Sequence, residues 1–316
     1  MKAPVSFKIS LMKKEAVPFI INSISELHRL VSLPKPEHPL VSVIDLKDVI
    51  VNKDESKRSV IYNFYSICIK RNFKGKLKYG QQYYDFDEGL MTFFSPGQVI
   101  STDVEEDHVL NGWWLVVHPD FLRNHSLGKV IQNYGYFSYA VNEALHLSEK
   151  EEDMLTSIAQ HIKQEYRSST DKFSQDVILS QIELLLSYSN RFYDRQFMTR
   201  KQASNDLLVG LENLLKDYFD SEKVFELGLP TVHYISEQLN ISSNYLSDML
   251  RALTGQSTQQ HIHHHLIEKA KKFLTGTSLS VSEIAYQLGF ERPQSFNKLF
   301  KSKTQISPLE FRHSFN

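Results

Sequence analysis

The sequence predicts a protein of two parts, with β-strands in its first half and helices throughout its second half. Residues 39–118 contain short runs in which Val, Ile, Tyr and Phe alternate with polar residues, separated by Gly, Pro, Asn and Asp. This alternation is typical of antiparallel strands. From Ser148 onward the apolar residues instead recur every three to four positions, which is the spacing of an amphipathic helix. We therefore expect an antiparallel β-barrel or sandwich, then a helical hairpin and an all-α domain.

Composition limits the possible classes of protein. A length of 316 residues is typical of about two domains. Hydrophobic residues make up 41% of the chain and charged residues 23%, which are ordinary values for a globular protein. Lys and Arg number 36 and Asp and Glu number 37, so the net charge of −1 lacks the positive excess of many nucleic-acid-binding proteins. An average can, however, conceal a local concentration of positive charge.

Sequence patterns also suggest where the protein resides. Cys68 is the sole cysteine, which excludes an internal disulfide and favours a reducing compartment. The N-terminal apolar stretches are interrupted by Lys13, Lys14 and Glu15, and no run approaches ~18 apolar residues. We therefore expect a cytoplasmic protein without a membrane partner. Cys68 lies in the apolar run SICIK and is interpreted as a small core residue rather than a nucleophile.

Residues 1–147 are predicted to form the β-rich domain. A short helix is expected at 23–31, where Ser23 and Glu26 make a capping box. Ten aromatic residues lie between Ser59 and Phe94. They either fill a packed core or line a pocket for a partly aromatic or sugar-like effector. The pocket candidates are Tyr62, Phe64, Tyr83 and Phe93.

Residues 148–198 are predicted to form the helical hairpin. Ser148 and Glu151 make a second capping box, and the second helix is expected from about Phe173 to Phe197. Its apolar stripe is wide for a surface helix. The stripe either pairs two copies of the chain as a homodimer or covers the barrel of its own subunit. The polar segment 199–205 is predicted to be a linker to a helical domain at 206–316.

The last domain contains one pattern twice, beginning at Val232 and again at Val281. The offset is 49 residues before a turn and 50 after it. Asn240 and Gly289, the residue types best suited to positive φ, lie in the two turns. Each copy therefore predicts a helix-turn-helix, and two matched copies are much stronger evidence than one.

The segment between the copies predicts a connecting helix over 258–274. Its 17 residues span about 25 Å at ~1.5 Å per residue. Adjacent major-groove segments on one face of DNA lie about 34 Å apart. Such a helix with its flanking turns can hold two recognition helices near that separation, so double-stranded DNA is the expected partner.

Residues 206–315 resemble the DNA-binding domain of AraC/XylS-type transcription regulators. The second copy carries IAYQLGF, SFNKLFK and SPLEFR, and the first carries SSNYLSDMLRALTG and HLIEKAKKFL. The resemblance implies a transcription regulator, not an enzyme, with RNA polymerase as a further partner. Gln305 stands where the family usually has Gly, which the first copy keeps as Gly255. We expect a slightly strained or rearranged helix end there.

The N-terminal half resembles the cupin-like sensing domain of the same regulators, through KPEHPL, FFSPGQV and HPDFL. This resemblance implies control by a small-molecule effector. Enzymatic cupins bind metal through clustered His and Glu, but Val99 and Ile100 follow the Pro-Gly turn here. We therefore expect no metal and no cofactor. A cupin-type enzyme would need a metal cluster within 39–145, and a protein-binding adaptor would need apolar residues on the recognition-helix surfaces.

Exposed residues early in a recognition helix face base edges, and neighbouring cations contact phosphates. The base-reading candidates are Ser243, Asn244, Ser247, Gln294, Ser295, Asn297 and Lys298. The phosphate candidates are Arg251, Lys269, Arg292, Lys301, Lys303 and Arg312. Asp248 is a weaker candidate, because phosphates repel a carboxylate. His261 and His265 have a chelating spacing, but the sequence offers no carboxylate or thiol to complete a metal site, so we interpret them as helix surface.

Overall fold

In the computed structural model the described residues are 18–50, 59–71, 76–79, 82–85, 89–101, 111–140, 143–168, 171–199 and 201–314. Among the described residues before 148, the helices α1 (Ile24–Leu30) and α2 (Ser126–Val130) lie within a set of strands. These strands are β1 (Phe19–Ile21), β2 (Val41–Asp45), β3 (Ser59–Tyr62), β4 (Tyr65–Arg71), β5 (Lys76–Tyr79), β6 (Gln82–Asp85), β7 (Leu90–Phe94), β8 (Val99–Ser101), β9 (Asn111–Val117) and β10 (Leu145–His146).

The strands form separate sheets. One antiparallel sheet has the order β10-β7-β4-β9-β2, a second has the order β1-β3-β8 with β1 parallel to β3, and β5 pairs with β6. The prediction of a β-rich N-terminal region is confirmed. A closed barrel is not confirmed, since within the described ranges no ladder joins the five-stranded sheet to the three-stranded one.

Alternating residues of the five-stranded sheet enter two different cores. Ile67, Ile69 and Leu115 belong to the large core that includes the following helices. Cys68 and Trp114 belong to a smaller core shared with α1 and the three-stranded sheet. This period of two follows from the pleat of a strand, in which successive side chains point to opposite faces.

Two long helices, α3 (Glu149–Arg167) and α4 (Ser174–Thr199), form the predicted hairpin. Ser148 and Glu151 make the expected capping box at the start of α3. The hydroxyl of Tyr136 donates to the carbonyl of Leu186, 3.1 Å away, which ties α4 to the strand-rich region. A large part of the α4 stripe is buried: Ile178, Leu179, Ile182, Leu185, Leu186, Phe192 and Phe197. The stripe thus covers the chain's own core, and a dimer remains a prediction.

The remaining helices are α5 (Lys201–Asp220), α6 (Lys223–Leu227), α7 (Val232–Gln238), α8 (Ser243–Thr254), α9 (Thr258–Gly276), α10 (Val281–Gln287), α11 (Pro293–Thr304) and α12 (Pro308–His313). The segment 199–205, predicted as a linker, lies at the junction of α4 and α5 and is largely helical. The sequence of this segment shows no helical spacing of apolar residues, because the apolar face of α5 begins after it, with Leu207 and Leu211. The domain limits themselves remain predictions.

Candidate nucleic-acid interface

Two helix-turn-helix units lie at α7–α8 and α10–α11, as the repeat predicts. Asn240 and Gly289 have positive φ in the two turns, 55° and 83°. Ser242 caps α8 by accepting a hydrogen bond from the amide of Tyr245, and Pro293 occupies the first turn of α11. The tight turns and caps therefore arise from the residue types that the sequence places there.

The second recognition helix, α11, presents a polar and basic face. Gln294, Ser295, Asn297 and Lys298 are all exposed, whereas Phe296 and Phe300 are fully buried. Amide side chains can pair bidentately with adenine, and Lys can reach the acceptor atoms of guanine. This face has the chemistry that base reading in a major groove requires.

The phosphate candidates divide into two groups. Arg292, Lys301 and Lys303 are exposed around α11. Arg312 instead donates to the carbonyls of Leu274 and Leu279, at 3.1 and 2.6 Å. The other candidates are also engaged: Lys269 bonds to the carbonyl of Phe219 and to Asp220, and Arg251 pairs with Asp248 at 2.9 Å. The sequence could not distinguish cations that bond to backbone carbonyls and carboxylates from cations that are exposed around α11.

The first recognition helix, α8, is less accessible than α11. The hydroxyl of Ser243 bonds to that of Ser236 at 2.8 Å, and the hydroxyl of Ser247 to that of Thr258 at 2.9 Å. Among the three base-reading candidates of α8, Asn244 is the exposed one. The two serines therefore face neighbouring helices in this structure.

Residues of the N-terminal region contact α8, which sequence reasoning did not anticipate. The hydroxyl of Tyr139 donates to Asp248 Oδ2 at 2.7 Å. The amide and hydroxyl of Ser242 both donate to the carboxylate of Glu143, each at 2.5 Å. Burial raises the pKa of Glu143, while its bonds to Ser242 act in the opposite direction. About 100 residues separate the partners, so no local pattern could have revealed the contact.

Comparison with known proteins agrees with the repeat. Residues 235–314 match the family model of a helix-turn-helix domain. The chain is 28% identical over 132 residues to the uncharacterized HTH-type transcriptional regulator YijO of Escherichia coli K12, covering 42% of this chain and 44% of that protein. It is 27% identical over 139 residues to the HTH-type transcriptional activator RhaS of E. coli O139:H28, covering 44% and 45%. The C-terminal part of the chain therefore contains a helix-turn-helix domain similar to those of HTH-type transcriptional regulators.

The match to these relatives covers less than half of their length. Among solved structures, a regulator with an AraC-type DNA-binding domain from Chromobacterium violaceum aligns at a TM-score of 0.32 and 18% identity, over 36% of this chain and 96% of that one. The DNA-binding domain of AdpA in complex with a target DNA aligns at a TM-score of 0.30 and 20% identity, over 34% and 91%.

The histidines of α9 contact a carboxylate of α5. Glu212 of α5 bonds to His265 Nε2 and lies 3.4 Å from His261 Nδ1. A carboxylate is thus present between the two histidines, which the sequence pattern did not show. Three or more His, Cys, Asp or Glu side chains placed to bind a metal do not occur among the described residues. The trio joins α5 to α9 and so positions the first helix-turn-helix.

Two of the four predicted effector residues, Tyr62 and Phe64, lie side by side with ring centroids 5.2 Å apart. Tyr62 and Phe64 belong to or pack on the small core, whereas Phe93 belongs to the large core on the other face of the sheet. The side chain of Tyr83 lies outside the described residues.

In the part of the chain that the structure describes, no helix has the length and apolarity to cross a membrane.

Proposed function

We propose that this chain is a sequence-specific DNA-binding transcription regulator whose two helix-turn-helix units read two consecutive major-groove segments. The exposed face of α11 carries the proposal, because it combines base-reading side chains with nearby cations. From Arg292 to Asn316 there are five basic residues and one acidic residue, a net charge of +4. The charge of −1 for the whole chain is therefore the wrong average for this surface.

The proposal is tested by measuring the DNA binding of variants at two matched lysines of α11. Lys298 lies among the base-reading candidates and Lys303 near the end of the helix, and both are exposed. Lys298→Ala should cost about 1–3 kcal/mol and relax the base preference at one position. Lys303→Ala should weaken binding to all sequences alike and reduce the salt slope by about 1. Mobility shift over a salt series measures both effects, and no retardation at low salt would exclude the proposal.

Control by a small molecule is the second part of the proposal. A cleft of about 530 Å³ lies between β2, β9 and α3, within the size range of ligand pockets. Arg71 and Lys47 line the cleft but pair with Glu152 and Asp45. Lys163, which also lines it, is the cation that we propose to bind an anionic group of a ligand. A thermal-shift screen of anionic metabolites tests this site. A hit whose shift survives Lys163→Ala would place its binding site elsewhere.

The helical hairpin supports a homodimer as a further part of the proposal. Val177 and Leu184 are exposed and lie seven residues apart, hence on one side of α4. Met154 and Phe173 add exposed apolar area on the hairpin. A single species at twice the chain mass in sedimentation, lost in Val177→Glu/Leu184→Glu, would support the dimer. A wild-type monomer at micromolar concentration would exclude it. A cytoplasmic location, which the single cysteine favours, and contact with RNA polymerase, which the resemblance implies, complete the proposal.

A further inference from the structure

The internal repeat provides a comparison between the two recognition helices. The offset of 50 aligns Tyr245 with Ser295 and Asp248 with Lys298. Ser295 and Lys298 are exposed on α11, whereas Tyr245 and Asp248 are half-buried on α8. The part of α8 at Tyr245 and Asp248 is therefore covered, whereas Asn244, which aligns with Gln294, is exposed.

The covering residues come from the N-terminal region and the end of α4. The rings of Tyr139 and Phe197 both pack edge-on against Tyr245, with centroids 5.2 Å away. Tyr139 also donates its hydroxyl to Asp248. The backbone at Gly135 lies so close to the carboxylate of Asp248 that a β-carbon at this position would collide with it.

Glu143 holds the N-terminus of α8. Its side chain is 3% exposed, and its two oxygens accept the amide and hydroxyl hydrogens of Ser242, the residue that caps this 12-residue helix. Helix N-termini attract anions, and in complexes with DNA such amides commonly bind phosphates. The carboxylate of Glu143 therefore occupies a place suited to a DNA phosphate.

We propose that Gly135, Tyr139, Glu143 and Phe197 form an α8-binding surface that competes with DNA for the first recognition helix. This inference rests on the proposed DNA-binding function. In the structure described here the second helix-turn-helix is open and the first is closed. Release of α8 from this surface is then the step that a signal must favour for both units to bind DNA together.

The prediction that follows is a gain of affinity from loss of a contact. Tyr139→Phe keeps the ring and removes one hydrogen bond to a carboxylate. Glu143→Gln keeps the shape but replaces one of the two oxygens that accept hydrogens from Ser242 by an NH2 donor. A variant that weakens the closed state raises the population of the open state. The apparent affinity for DNA rises by the same factor. We expect about tenfold tighter binding for each variant, given the usual strength of a charge-assisted hydrogen bond.

Tyr136→Phe is the matched control, because it removes a hydroxyl that bonds to the carbonyl of Leu186 in α4 rather than to α8. The probe is a fluorescent duplex selected from a random-sequence library with the full chain. Affinities are measured for full-length wild type, Tyr139→Phe, Glu143→Gln, Tyr136→Phe and Lys298→Ala. Hydrogen exchange of residues 242–254 without DNA reports the contact independently, and it should rise in the first two variants and not in the control.

The outcomes separate the two proposals. Tighter binding by Tyr139→Phe and Glu143→Gln, with Tyr136→Phe unchanged, supports the competing surface. If wild type binds and Lys298→Ala weakens it, while Tyr139→Phe and Glu143→Gln bind equally or more weakly, the competing surface is refuted and DNA binding stands. If none of the proteins selects or binds a duplex, the DNA-binding function itself is refuted.

Discussion

Replacing Gln305 by Gly should stabilise the C-terminal domain. Gln305 ends α11 in the left-handed conformation, with φ of 67°, and Gly255 ends α8 in the same way at 73°. The helix end is therefore not rearranged, and the non-glycine residue bears the strain. A residue with a β-carbon costs about 1–2 kcal/mol in this conformation. The side chain recovers little of this, since its amide lies 3.4 Å from the carbonyl of Ser302.

The expected gain for Gln305→Gly is about 1 kcal/mol, or roughly 2 °C in melting temperature for a chain of this size. Urea unfolding followed by circular dichroism measures it. Gln305→Ala is the control, because it removes the side chain but keeps the β-carbon that causes the strain. If Ala stabilises as much as Gly, or if Gly is neutral, the strain at this helix end is not real.

Substitutions of two glycines with positive φ test the same backbone strain. A β-carbon at Gly255 would have no atom within 4 Å, so Gly255→Ala should cost only the backbone term of about 1 kcal/mol. A β-carbon at Gly289 would meet Val224 and the backbone of Gly228 at 3.0 Å. Gly289→Ala should therefore cost distinctly more than Gly255→Ala. Equal losses would show that packing at the second turn is looser than the structure indicates.

Three further predictions concern charged and titratable groups. Arg312→Ala should destabilise the domain by about 2–4 kcal/mol in urea unfolding, because two carbonyls lose a charged donor; loss of DNA affinity alone would contradict this. Burial raises the pKa of Cys68 to about 11, so iodoacetamide should label it at about pH 8 only after unfolding. Burial raises the pKa of Glu143, which faces Tyr139 and Tyr193. The protonated Glu143 side chain therefore contributes stability at pH values below its pKa in the unfolded chain. This contribution is lost as the pH rises through its pKa in the folded protein. The stability of Glu143→Gln relative to wild type should therefore increase from about pH 4 to about pH 7, and a flat difference would contradict the shift.

Local signals predicted the two helix-turn-helix units well. The repeat, the capping residues and the turn residues Asn240 and Gly289 all act within a few positions of chain, so their effects are visible in sequence. The buried face of α11 follows from the spacing of Phe296 and Phe300 for the same reason. These features define the exposed polar and basic face of α11, whose contact with DNA remains a proposal.

Long-range contacts were beyond the sequence. Nothing near Glu143 indicates that Ser242 is its partner, and nothing near His265 indicates Glu212. Whether a basic residue such as Arg312 meets a phosphate or a carbonyl depends on which helix end packs beside it. The alternation of apolar and polar residues predicted strands, but alternation alone cannot decide whether a sheet closes into a barrel.

Selection of bound duplexes from a random library tests the central claim most directly. With wild type and Tyr139→Phe, the account predicts enriched sequences with two conserved segments whose centres lie about 10 base pairs apart, one helical turn. Lys298→Ala should change the preference in one segment and leave the other intact. No enrichment by either protein, or a single segment even with Tyr139→Phe, would contradict the account.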